Sequence, residues 1–262
     1  MVRTGRGKKA GIERGDGAGR EAVVYIIKLD FYLTLSDCPC KMNKLLLPLL
    51  AAIVASATTF SAFAEEITGD ATQGATKNAT CIGCHGIIGY QASFPEIHKV
   101  PKIAGQGAKY IVSALTAYKK GERKHPTMRG IAASLTEQDM ADLAAYYEAS
   151  GVVAGATPLG KAADGSAKAV ELVAKGGCVA CHGDSFSKPL DPTYPKIAGQ
   201  HSDYLYVALK AYKTEHNPQV GRGNAIMAGQ VKQFSNADLK ELANYVGSLP
   251  GELKTVPQHK FK

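Results

Sequence analysis

With 262 residues the chain has room for one or two domains with cores of their own. Its formal net charge is +8, but nine of the 31 basic and five of the 23 acidic residues precede position 65, which leaves 22 against 18 beyond it. No face concentrates these charges as a nucleic-acid footprint requires, so nucleic acid is excluded as a partner.

Residues 1–41 are rich in Gly and Arg, carry Cys38 and Cys40, and read as a non-native or unprocessed extension upstream of Met42. Residues 42–64 then show a basic start at Lys44, an apolar run from Leu45 to Phe63, and Ala62-Phe63-Ala64 with small residues at −3 and −1. That order reads as a signal peptide cleaved after Ala64, although the apolar run approaches membrane-spanning length. Export implies a periplasmic protein. The four remaining cysteines all lie in two Cys-x-x-Cys-His motifs, so no structural disulfide is expected.

From residue 65 onward the chain is one unit written twice. In the first copy a short helical stretch over residues 71–79 leads into Cys81-Ile82-Gly83-Cys84-His85. The turn Pro101-Lys102-Ile103-Ala104-Gly105-Gln106 follows, and then an amphipathic helix carrying Tyr110, Leu115 and Tyr118. A polar loop holds Met128, and a last helix opens at the N-cap Thr136 and runs through Leu143 and Tyr146. Residues 153–164, rich in Gly and Ala, read as a linker between domain 65–152 and domain 165–262. The second copy repeats the order: a helical stretch over 167–174, Cys178-Val179-Ala180-Cys181-His182, the identical turn at 195–200, then Tyr204, Leu209 and Tyr212. Met227, the N-cap Ser235, Leu242 and Tyr245 complete it. No strand pattern competes, so the expected class is all-α, in two tandem domains.

Two thiols three apart, followed at once by histidine, suit covalent attachment of haem c. Each sulfur adds to a vinyl group, and the histidine is left beneath the iron. Cys81, Cys84, Cys178 and Cys181 are therefore the expected attachment points of two haems, with His85 and His182 as proximal ligands. A zinc site would require two remote pairs to converge and would leave both histidines idle. A redox dithiol would want a βαβ setting, which is missing.

The second axial ligand decides the chemistry. Met128 and Met227 lie 43 and 45 residues beyond His85 and His182, the same place in each copy. Met140 stands where the second copy has Leu239 and reads as core. His125 stands where the second copy has Asn224 and reads as a surface-loop residue, and His98 as polar surface. The carbonyls of Pro101 and Pro195 are candidate acceptors for the second ring nitrogen of each histidine.

These motifs together, each present twice, resemble the dihaem cytochrome c4 family, and the likeness covers residues 65–262. The resemblance implies two class I cytochrome c domains packed through their haem edges. His85 and Met128 would be axial ligands in one, His182 and Met227 in the other. It further implies an electron carrier, soluble or peripherally attached to a membrane, whose redox partners are respiratory complexes and whose electrons go toward a terminal oxidase. A filled iron coordination sphere argues against enzymatic turnover. Two alternatives stay open: the cytochrome subunit of a flavin-containing sulfide dehydrogenase, and a dihaem peroxidase, against which two equivalent methionines speak.

The charges divide unequally, nine basic and nine acidic in residues 65–152 against 13 and nine in 153–262. The second half is therefore expected to meet an acidic partner through residues such as Lys210, Lys213 and Arg222.

Overall fold

A computed structural model describes residues 67–151 and 165–257. The extension, the export segment and the linker lie outside the described residues. Among the described residues no helix is long and apolar enough to cross a membrane.

The first half contains α1 (Ala71–Lys77), α2 (Ala79–His85), β1 (Gln91–Ala92), β2 (His98–Lys99), α3 (Ala108–Lys120), β3 (Arg123–Lys124), α4 (Pro126–Ala133) and α5 (Glu137–Ser150). The second contains α6 (Ala167–Gly176), α7 (Val179–His182), α8 (Ser202–Lys213), β4 (Gly221–Arg222), α9 (Ala225–Lys232) and α10 (Asn236–Ser248). The class is all-α, with two-residue strands as its only sheet among the described residues. The closing helices start alike. Thr136 and Ser235 each form a capping box with an aspartate three residues on, Asp139 or Asp238, which satisfies orphan amides at both helix starts.

The halves build their cores from the same faces with different material. In the first, α5 packs on α1 and α3 around Ala104, Ile111, Ala144 and Tyr147. In the second, α10 packs on α6 and α8, and Leu172, Val231, Phe234, Leu239 and Leu242 form the main cluster. Met140 is 2% exposed and accepts a hydrogen bond from Thr116 Oγ1 on its sulfur, a core role that Leu239 fills in the other half.

The methionine segments are helices, not loops. Pro126 sits in the first turn of α4, and the side chains of His125 and Asn224 cap α4 and α9. Eight residues with an internal glycine, Gly130 or Gly229, are too weak a pattern to read from sequence. His98 is also corrected. It is 4% exposed, with Nδ1 hydrogen-bonded to the carbonyl of Glu96, so it is interior and not surface.

The two halves lie in one compact unit and meet along a seam built from the repeated turn. Gln106 donates from its amide to the carbonyl of Lys196 and accepts from that residue's N–H, both at 2.9 Å. Gln200 does the same to Lys102, donating at 2.8 Å and accepting at 2.9 Å. Each glutamine thus acts as a backbone segment for the opposite half, and both are buried. Gly105, at φ +85°, comes so close to Glu252 that a Cβ would stand 2.8 Å from its carbonyl oxygen. Strands β3 and β4 pair antiparallel across the same seam, Arg123 opposite Arg222. Lys99 bonds Asp203, and Lys210 bonds Glu96.

The three basic residues named for docking each have a partner inside the molecule. Lys210 is engaged with Glu96, Lys213 Nζ donates to the carbonyl of Phe234, and Arg222 donates to the phenol of Tyr204. Lys213 is exposed and Lys210 and Arg222 are half-buried.

Candidate haem centres

Cys81, Cys84 and His85 lie in α2, and Cys178, Cys181 and His182 in and just before α7, so one helical turn carries each motif. All four thiols are free. Cys81 packs against the cluster that holds Tyr147, and Cys178 against the cluster of Phe186, Ala198 and Leu249. Before haem is attached, burial pushes the Cys81 and Cys178 thiols up.

Each histidine is held in one orientation. His85 Nδ1 lies 2.8 Å from the carbonyl of Pro101, and His182 Nδ1 lies 3.0 Å from that of Pro195. A carbonyl only accepts, so Nδ1 donates and the proton is fixed there, leaving the Nε2 lone pair available to a metal. Burial lowers both imidazoles, which favours the neutral form that ligates. The two prolines flagged in the sequence are thus the acceptors.

Met128 and Met227 each take the third position of a capped helix. The Met227 N–H donates to Asn224 Oδ1 at 2.9 Å, and the Met128 N–H to His125 Nδ1 at 3.4 Å. The far ends match as well: Lys119 donates to the carbonyl of Leu135 as Lys213 does to that of Phe234. Both methionines are half-buried, and Met227 packs against the Leu172 cluster. His125 is a cap and not a free loop residue; burial lowers its imidazole, and its ring meets Phe94 edge-on at 6.0 Å.

This donor set fits haem c in each half: two free thiols, an imidazole with one nitrogen committed, and an apolar wall. The phenol oxygen of Tyr147 is buried without a partner, and that ring packs in the Cys81 cluster. Among the described residues no group of three or more His, Cys, Asp or Glu is placed to hold a bare metal ion.

The cytochrome c family model matches the chain twice, over residues 71–149 and 166–250. The chain is 30% identical to cytochrome c4 of Pseudomonas aeruginosa, over 79% of its own length and 100% of that protein. It belongs to the cytochrome c4 family. The crystal structure of reduced recombinant cytochrome c4 from Pseudomonas stutzeri, 29% identical, is similar with a TM-score of 0.53 over 70% of this chain and 100% of that one. A thiosulfate dehydrogenase electron acceptor of Stutzerimonas stutzeri is 28% identical over 68% of this chain and 83% of that protein. The molecule is a dihaem electron-transfer cytochrome of two tandem domains, with haem c bound covalently at the Cys81/Cys84 and Cys178/Cys181 motifs.

That the repeated turn and the two arginine strands join the halves was not read from the sequence. The signal was there: the glutamine that ends both copies of the repeated turn, and an arginine five residues before each methionine, Arg123 before Met128 and Arg222 before Met227.

Proposed function

We propose that this chain is a periplasmic electron carrier that ligates one haem iron through His85 and Met128 and the other through His182 and Met227. It would pass electrons one at a time between respiratory partners, ultimately toward a terminal oxidase, and would not itself turn over a substrate. The observation that carries this reading is the duplicated frame. In both halves a proline carbonyl fixes the histidine tautomer, and a capped helix holds a methionine at its third position. Haem supplies one-electron chemistry when bound, at a potential raised by methionine ligation. The chain's part is to orient the two ligands, exclude water with its apolar clusters and hold both centres in one rigid unit. Export rests on residues 42–64, and the domain limits 65–152 and 165–262 rest on the repeat.

The test is reactivity at the iron. The reduced protein should leave its visible spectrum unchanged under carbon monoxide and should transfer electrons to oxidase-containing membranes. Turnover of peroxide would instead establish the peroxidase alternative. A second reading is that the donor is a sulfur-compound dehydrogenase, favoured by the likeness to thiosulfate dehydrogenase electron acceptors. Co-purification with a flavoprotein would favour the subunit alternative.

A further inference from the structure

Tyr147 is 7% exposed, and its phenol oxygen is buried without a hydrogen-bond partner among the described residues. Its ring packs with Ala104, Ile111 and Ala144 and meets the Tyr146 ring edge-on at 5.1 Å. A phenylalanine would fill that space as well, so packing leaves the oxygen unexplained. A buried hydroxyl with no partner forfeits its hydration and gains nothing in return.

The backbone shows that this oxygen belongs to one half only. The carbonyl of Tyr147 accepts from the Gly105 N–H at 2.8 Å, and that of Val246 from the Gly199 N–H at 3.1 Å. Both donors are the glycine of the repeated turn, so Tyr147 and Val246 hold the same place in the two halves. The second half fills it with a side chain that has no polar atom.

The group that the phenol meets is Cys81, which packs against the cluster that holds Tyr147. Burial pushes the Tyr147 phenol well above its ordinary value, and the neighbouring sulfur pushes it further. Burial likewise pushes the Cys81 thiol up, and the hydroxyls of Thr80 and Tyr147 draw it partly back. The Thr80 hydroxyl lies 3.9 Å from that sulfur and is exposed.

Haem attachment changes what the sulfur can do. The thiol adds across a vinyl double bond: a carbon–sulfur bond forms, and the thiol hydrogen ends on the adjacent vinyl carbon. The sulfur then carries no hydrogen and can only accept. A buried O–H standing beside it has that sulfur as its acceptor.

We propose that Tyr147 is a positioning residue of the first haem centre alone, its phenol donating to the Cys81 sulfur once haem is attached there. This rests on the reading of one covalently bound haem per half. A donor at that sulfur draws electron density from the ring system and favours the reduced iron, so it raises the first haem's potential. Val246 gives the second haem no such donor. The bond therefore makes two centres with like axial ligands unequal.

The test is a spectroelectrochemical titration of the dihaem protein with Tyr147→Phe and Thr80→Val. Tyr147→Phe, which keeps the ring and removes the oxygen, should lower one midpoint potential and leave the other in place. The equilibrium constant should change about threefold, or ~28 mV for one electron. Thr80→Val should leave both potentials close to the parent's. In resonance Raman spectra of the parent, one carbon–sulfur band should shift after full exchange into deuterium oxide, and Tyr147→Phe should abolish that shift. Unchanged potentials and an unchanged deuterium shift in Tyr147→Phe would sink the inference and leave the carrier reading intact. Movement of both potentials, or the full effect from Thr80→Val, would contradict it as well. So would loss of methionine–iron bonding in Tyr147→Phe, which would assign the fall in potential to the axial ligand. Should that variant fail to assemble, the parent decides: carbon–sulfur bands unmoved by deuterium contradict the proposal. A parent with fewer than two covalent haems would instead overturn the reading beneath it.

Discussion

The two halves share one ligand frame and differ in what stands behind it. In the first half the buried carboxylate of Asp142 gathers the Asp70 N–H at 2.9 Å, Lys77 Nζ at 2.6 Å and Gln138 Nε2 at 2.7 Å, tying α1 to α5. In the second half the corresponding position is Glu241, which meets Ser166 Oγ near the surface, and Lys168 reaches Asp238 only at 3.6 Å. Apolar mass does the work there instead: Phe186, 1% exposed and at a left-handed φ of 54°, packs with Ala198 and Leu249 and meets the Tyr245 ring edge-on at 6.4 Å. Tyr147 with its orphaned phenol faces the first attachment cysteine, while the matching position is Val246. The difference teaches that the two halves kept the groups that face the cofactor while their supporting packing diverged, a polar anchor in one and an apolar one in the other. The first half should therefore be sensitive to acid and the second to lost volume.

The largest expected effect tests whether the halves load separately. Cys81→Ser with Cys84→Ser should leave one covalent haem, and Cys178→Ser with Cys181→Ser the other, as read by intact mass and haem content. A complete loss in either variant would mean that one half cannot fold without its neighbour's haem. Next, Phe186→Ala should cost about 4 kcal/mol in thermal or denaturant unfolding, with the loss falling on the second half. Asp142→Ala should cost about 2 kcal/mol, because it strands the Asp70 N–H and the Lys77 ammonium. Glu241→Ala should stay within about 0.5 kcal/mol. Comparable losses at positions 142 and 241 would abolish the contrast.

Acid sharpens the same contrast. The Asp70 N–H, the Lys77 ammonium and the Gln138 amide hold the Asp142 carboxyl below the usual range. Its stabilising contribution is thus complete above the ordinary aspartate value of about 3.9. It is lost as pH falls through the lower folded-state value. The stability gap between parent and Asp142→Ala should accordingly shrink below pH ~4, with no such narrowing for Phe186→Ala. Met140→Leu copies Leu239 of the other half and should cost less than about 1.5 kcal/mol, with both haem spectra unchanged.

Much of this architecture was legible in the sequence because duplication supplies an internal control. A residue present in both copies at matching positions, such as His85 and His182 or Pro101 and Pro195, is marked by its repetition. Met140 could be assigned to the core because its twin is Leu239. What failed were readings that needed tertiary placement. His98 is a polar residue without local pattern, and tertiary packing buries it. The methionine helices are eight residues long and held by caps and by Lys119 and Lys213 from a neighbouring helix, so periodicity alone did not show them. Linear charge counting could not show that Lys210 meets Glu96 across the seam.

The central claim is that two methionines, one per half, complete two equivalent iron centres. The most direct measurement is the weak near-infrared methionine–iron band of the oxidised protein in Met128→Ala and Met227→Ala. Each substitution should remove about half of the band while both haems stay attached, and the double variant should remove all of it. A full-strength band in either single variant, or a band halved by Met140→Leu, would contradict the ligand assignment.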